Sequence, residues 1–292
     1  MKKALVLLAL FVSGCDGCDK GKNGSSDDKI DGAPRTTNPD AAPANASPIP
    51  TASVEAMLNP DKLPAYTGPT GSVEGTIALK GLKAPATPAD FHKCPDAEKI
   101  WGTAFREGEN RALADVVVAI TGYEGYYVPE KEETKTIRVV GCGFEQRTLT
   151  LTFGQRIGVK NEAREFWTPI LEPGSNMVLR MATPGGDPVF IYPKAPGHYL
   201  LRDRDRRYSE VDIYAFLHPL HTSTNIEGKY RIDGVPVGKL KINARHPRID
   251  FEQTVDVEVK PAVIQKVDLV IEYNTPDAGK SYDAGQAYPG LH

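Results

Sequence analysis

The chain has 292 residues, 40% of them apolar and 25% charged, with a formal net charge of −3 at pH 7. That balance suits a folded body long enough to bury a core, and it lacks the basic footprint that nucleic-acid binding needs. With 27 glycines and 24 prolines, turns are frequent, so short strands are expected rather than long helices.

Lys2 and Lys3 precede the apolar run 4–12, "ALVLLALFV", too short to cross a bilayer as an ordinary transmembrane helix. The run ends in "VSGC", where Ser13 and Gly14 before Cys15 resemble a bacterial lipobox. The resemblance implies a signal peptide over 1–14, acylation of the Cys15 thiol and a lipid-anchored mature chain. An ordinary secretory signal cut nearby, or cleavage at Cys18, is the alternative. All versions export the chain to the bacterial envelope and leave the choice of membrane open. Residues 15–70 are rich in Pro, Ala, Asn, Asp and Ser and are expected to form a disordered tether, with a brief helical turn over 53–58. The tail 274–292 has the same character.

Export permits disulfides. With Cys15 lipidated and Cys18 in the leader, Cys94 and Cys142 are expected to pair. The closed loop of about 48 residues is worth roughly 4 kcal/mol in the chain-entropy model. Two free thiols are the alternative.

Period-two patterns dominate 71–273. "SVEGTIALK" sets Val73, Gly75, Ile77 and Leu79 on one face. "ADVVVAITG" is a continuous β-branched run, as in a strand buried on both faces. "TKTIRVV", "RTLTLTF", "QRIGVKN", "EVDIYAF", "GKYRID", "GKLKINAR", "QTVDVEVK" and "IQKVDLVIEY" follow, and only "DAEKIWGTAF" suggests a helix. The class is all-β, one sandwich or two.

Two stretches carry family resemblances. "NIEGKYRIDGVPVGKLKINARHP", with turn glycines Gly228 and Gly238 and Pro236 at a strand end, resembles carboxypeptidase regulatory-like (transthyretin-like) domains. "GSVEGTIAL" resembles the first strand of that family, and 253–273 its paired closing strands. "LADVVVAITG" and "VVGCGFEQRTLTLTFGQRIGVKNEA" resemble plastocyanin-like (cupredoxin) domains of exported bacterial proteins, including the methylamine utilisation type. "VDIYAFLHPLH" is similar to that family's ligand loop, Cys-x-x-His-Pro-x-Met. The resemblance implies a cupredoxin-like Greek-key sandwich over 71–222 and a carboxypeptidase regulatory-like segment over 223–273. Strand 72–80 is left free to pair with the second unit, which would make the first an insertion.

The implied copper ligands fall residue by residue on Trp167 for the first histidine, Ala215 for the cysteine, His218 for the second histidine and His221 for the methionine. Blue copper depends on the thiolate, so an electron carrier of that kind is not expected. Trp167 and Phe166 are expected to fill the vacated pocket. His218 and His221 remain candidate Cu or Zn ligands, with His198 or His246 as further nitrogens. "RDRDRRY" (202–208) and the tyrosines of "TGYEGYYVPEKEE" are candidate surfaces for an anionic glycan or a protein. Each has a plainer reading, internal ion pairs and edge packing.

No G-x-S-x-G, Walker loop or H-E-x-x-H occurs. The reading is therefore a non-enzymatic, envelope-anchored binding or structural lipoprotein with no cofactor. A metal-binding protein centred on His218 and His221 is one alternative, and a carbohydrate-binding module is the other. The expected partners are the membrane, through the lipid, and an unidentified protein or glycan.

Overall fold

The computed structural model describes residues 49–92, 94–174 and 180–274. The expected signal peptide, Cys15, residues 15–48 and the tail beyond 274 lie outside the described residues. In chain order the elements are helix α1 Thr51–Leu58, strand β1 Thr70–Gly81, helix α2 Pro95–Trp101 and strand β2 Val117–Thr121. Then come β3 Thr134–Val140, β4 Gly143–Phe144, β5 Thr148–Thr152, β6 Arg156–Asn161, β7 Pro169–Glu172, β8 Val189–Ile191, β9 Gly197–Asp203 and β10 Glu210–Phe216. The chain closes with β11 His221–Ser223, β12 Lys229–Pro236, β13 Gly238–Arg245, β14 Glu252–Val259, β15 Ile264–Lys266 and β16 Leu269–Tyr273. The class is all-β, as expected.

The strands build two sandwiches. In the first, β12-β1-β15, with β16 also on β1, faces β11-β2-β13-β14. Val73, Ile77, Val118, Ile120, Leu240 and Ile242 meet in its core. In the second, β5-β10-β9-β7 faces β4-β3-β6-β8 around Ile137, Leu151, Val159, Leu201 and Ile213. Parallel pairs β3–β6 and β5–β10 join strands that are not consecutive in the chain, so crossover connections link them. Helix α2 starts at Cys94 with proline at its first position, where a missing N–H costs nothing, and packs Ala97 and Trp101 onto the second core. Cys94 and Cys142 form a disulfide.

The expected boundary at 222/223 does not divide these cores. β1 pairs with β12, and β2 with β13, across the whole intervening chain. Strands β1 and β2 therefore belong with 221–273, and 134–216 form an inserted sandwich against which Phe91, Ala97 and Trp101 also pack. The alternation of β1 shows which face is buried but not which sheet receives it.

The second correction concerns the tether. Residues 49–69 lie against the body rather than hanging free. Tyr66 and Tyr127 exchange a backbone bond, Tyr66 N–H to Tyr127 O at 2.9 Å, and Tyr127 N–H returns to Pro64 O at 3.1 Å. Asn59 closes a loop by bonding both the N–H and the carbonyl of Leu63 at 2.8 Å. A few well-placed polar and aromatic groups order a segment whose average composition suggests none.

β2 explains its unbroken apolar run. Val118 and Ile120 turn into the first core, while Val117 and Ala119 pack against Tyr214 and Phe216 of β10. The outer faces of the two sandwiches form a seam, so β2 has no wet side.

The expected strand "IQKVDLVIEY" is broken into β15 and β16, and Gly75 shows why. β1 pairs in parallel with β15 up to Glu74 and with β16 from Ile77. Between them Val267 N–H bonds Glu74 O at 2.9 Å, and the Asp268 carboxylate accepts from both Thr76 N–H and Thr76 Oγ1 at 2.7 Å. A Cβ on Gly75 would lie 1.8 Å from Val267 O. Gly75→Ala should therefore force the two strands apart and cost about 2–3 kcal/mol, the upper range for overpacking a tight site. Urea unfolding of the two chains checks this, and a cost below about 0.5 kcal/mol, typical of an unconstrained surface change, would refute the close approach.

Candidate functional site

Strand parity on β10 decides where the expected ligand positions go. Val211, Ile213 and Ala215 turn into the inserted core, so Asp212, Tyr214 and Phe216 turn to the seam. Ala215 is fully buried in that core. Trp167 is there too, packed edge-on against Phe144 at 5.6 Å, with the Arg206 guanidinium 4.7 Å from its ring. Phe166 is a correction: it is 57% exposed, so Trp167 alone fills this part of the core. Bracketed by a main-chain bridge between Trp167 and Ala182, residue 166 has to face the opposite way.

His218 and His221 lie on the seam. Their ring centroids are 6.2 Å apart. His221, on β11 opposite Ala119, stacks on Phe216 at 4.6 Å. His218 meets the edge of Tyr123 at 6.3 Å, and its Nδ1 accepts the Leu220 N–H at 3.3 Å. His221 Nε2 is 3.3 Å from Thr152 Oγ1, which donates to Glu130 Oε2 at 2.5 Å. Burial first, then His218 and Lys135, hold the His221 imidazole well below its ordinary range. Among the described residues no group of three or more His, Cys, Asp or Glu is arranged to hold a metal ion.

The other two histidines belong to a different cluster. His198 Nε2 lies 2.8 Å from Asp212 Oδ1, both groups almost fully buried, and its ring stacks on Tyr214 at 4.6 Å. Arg248, from the loop after β13, reaches Asp212 Oδ2 at 3.2 Å and Glu210 Oε2 at 3.1 Å. Arg202 completes the chain, pairing with Glu210 at 3.0 Å and Glu172 at 2.8 Å. Burial alone would raise the Asp212 carboxyl, but Arg248 and His198 outweigh it and hold it below the usual range. Nearby, Asp115 and Arg106 form a two-pronged pair at 2.6 and 2.7 Å. Arg147, 8% exposed, donates to the carbonyls of Ile100, Thr103 and Ala104.

Sequence reasoning missed this cluster. One signal was available: an aspartate at 212 in a strand apolar on both faces requires a buried partner. The partner, Arg248, could not be read because it lies 36 residues away in a loop.

In the two candidate surfaces the contacts among described residues are ion pairs and ring packing. In 202–208, Arg204 pairs with Asp205, and Arg206 with Asp203 and Glu165. Tyr123 stacks on Tyr126 at 5.5 Å, and Tyr126 packs on Tyr66 at 4.5 Å. Burial, with Tyr126 adding to it, pushes the Tyr123 phenol up to about 12.

His246 is 1% exposed, its Nδ1 accepts the Arg248 N–H at 3.0 Å, and its Nε2 has no hydrogen-bond partner among the described residues. Burial pushes its imidazole from 6.5 down to about 4. In that interval the unfolded chain holds a proton that the folded one does not, so stability is full above pH 6.5 and is lost as pH falls toward 4. A shift of this size amounts to roughly 3 kcal/mol, and His221 adds loss of the same sign. His246→Gln should be less stable at pH 7 and should lose clearly less between pH 6.5 and 4. Urea unfolding across that window checks this, and parallel curves would refute it.

No family model matches the chain, and no curated protein matches it. Among solved structures, a copper-containing nitrite reductase (NirK) from Thermus scotoductus SA-01 aligns over 34% of this chain and 26% of its own, at 17% identity and a TM-score of 0.25. This chain thus spans about a quarter of that protein, and a likeness at this score carries no argument.

Proposed function

We propose that the chain is a non-enzymatic binding or structural module of the bacterial cell envelope, whose inserted, cupredoxin-like sandwich carries no blue copper. One observation carries the reading. The positions that resemblance assigns to the ligands are divided between two places, Ala215 and Trp167 in the inserted core, His218 and His221 on the seam. A thiolate restored at 215 would project away from the Phe216 face against which both imidazoles rest. The cysteines of the described body are bonded to each other. The histidines act instead as packing groups that complete the seam between the sandwiches.

Titration of the purified protein with Cu²⁺ and Zn²⁺, beside a His218→Ala/His221→Ala chain, tests this. The expected outcome is binding that is absent or equal in both chains, with no charge-transfer band in the visible. Stoichiometric sub-micromolar binding lost in the double variant would overturn the reading and favour a nitrogen-rich site at the seam.

Envelope attachment rests on the "VSGC" motif. Cys15→Ala should move the chain from the membrane fraction to the soluble one in the bacterium that expresses it. Equal membrane partition of both chains would remove the lipid anchor from the proposal.

A further inference from the structure

A cleft of about 350 Å³ opens beside α2 and the seam cluster, lined by Arg147, Arg248, Glu210, Trp101, Tyr208 and the segment 85–89. Its parts are fixed before any ligand arrives. The Trp101 indole N–H donates to Glu210 O at 3.1 Å, and the Tyr208 hydroxyl to Cys142 O at 2.9 Å. Cys142 is in turn tied to Cys94 at the start of α2. The 85–89 segment is bound to the turn after α2 by Thr87 N–H to Gly102 O at 2.9 Å and Ala104 N–H to Pro85 O at 2.8 Å. Such preorganisation lowers the ordering cost of binding.

The charges of the lining select a ligand class. Arg147 is nearly buried, yet it bonds only main-chain carbonyls and forms no ion pair among the described residues. Burial disfavours its charge and is the largest influence, while the attraction of Asp115 and Asp212 stands against the repulsion of Arg248 and Arg106. Arg248 uses Nε and Nη2 on Asp212 and Glu210, and no bond of its Nη1 exists among the described residues. Arg248 is already met by Asp212 and Glu210, so Arg147 is the lining guanidinium left to pair with one negative charge, and Glu210 would repel a second. Trp101 and Tyr208 add aromatic surface suited to the apolar faces of a ring. The volume is at the low end for small-molecule sites, roughly 300–1,000 Å³, and admits one ring rather than a chain of them.

We propose that this cleft binds a single carboxylate carried on a ring, the chemistry shared by a uronic-type sugar acid and a cyclic organic acid of that size. The proposal deepens the binding-module reading and rests on it. Failure here would leave the copper titration untouched.

The test uses the two tryptophans of the chain as reporters, Trp101 at the cleft and Trp167 in the inserted core as the internal control. The indole N–H resonances are followed in ¹⁵N-labelled protein during titration with glucuronate, cyclohexanecarboxylate, glucose and inorganic phosphate at constant ionic strength. The expected result is a saturable shift of the Trp101 signal with at least one carboxylate, at least tenfold weaker with glucose and phosphate. Whichever carboxylate saturates identifies the source. Arg147→Gln should weaken binding at least tenfold. Because Arg147 also supports the fold, Ala86→Trp, at an exposed position of the lining, is the second variant and should block the cleft in a fully folded chain. No saturation with either carboxylate at millimolar concentration would overturn the proposal. An equal response to glucose or phosphate, or full binding in folded Ala86→Trp, would overturn it as well.

Discussion

Asp212 is 4% exposed and stands where the two sandwiches meet. An unpartnered carboxylate there would cost several kcal/mol. It is met by His198 from its own sheet and by Arg248 from the other sandwich. Against a well-packed apolar substitute such a group contributes little net stability, since desolvation offsets the attraction. Its geometry is nevertheless demanding. Arg248 reaches Asp212 and Glu210 together only when the loop after β13 sits at one position along β10. The apolar contacts of Val117 and Ala119 with Tyr214 and Phe216 tolerate sliding far better than these directional bonds do.

Around this fixed point the seam becomes a third core. It takes the outer face of β2 out of water, and it takes up the two imidazoles of "HPLH" as flat, weakly polar packing groups. In that setting burial disfavours the charged form of the His221 ring, because the hydration a charge would lose is not regained. His246 follows the same logic a few residues from Arg248. The inserted sandwich keeps a conventional apolar interior in which Trp167 is the largest fully buried side chain.

Much of this architecture was legible in the residues. The alternation in "SVEGTIALK" and "GKLKINAR" reports the buried faces of β1 and β13, and the run "ADVVVAI" reports that β2 is covered twice. What covers it was not legible, because periodicity records that a face is dry and says nothing of its neighbour. The insertion was open in the sequence as one of two partitions, and only the pairing of β1 with β12 selects between them. Matching "YAFLHPLH" to a ligand loop aligned the letters, but a single step along a strand reverses the side to which a residue points. Ala215 and Phe216 are neighbours in the alignment and opposites in space. The tether reading failed over 49–69 because composition averages over a segment, while order there depends on Asn59 and Tyr66 at particular places.

The insertion also bears on how far apart in sequence the strands of its host are. Ser72 and Asp233 bond across 161 residues, and Thr76 and Asp268 across 192. The first sandwich cannot close until chain ends that far apart are brought together, and the entropy of doing so rises with the length of open loop. If 134–216 collapses first, its entry after β2 and its exit into β11 are delivered side by side, because β2 and β11 are adjacent strands. The loop left to close then loses the residues of the folded insert, about half of the span between Ser72 and Asp233. In that order of events the insert shortens the search its host must make, which counts most in a chain whose pairings are long-range.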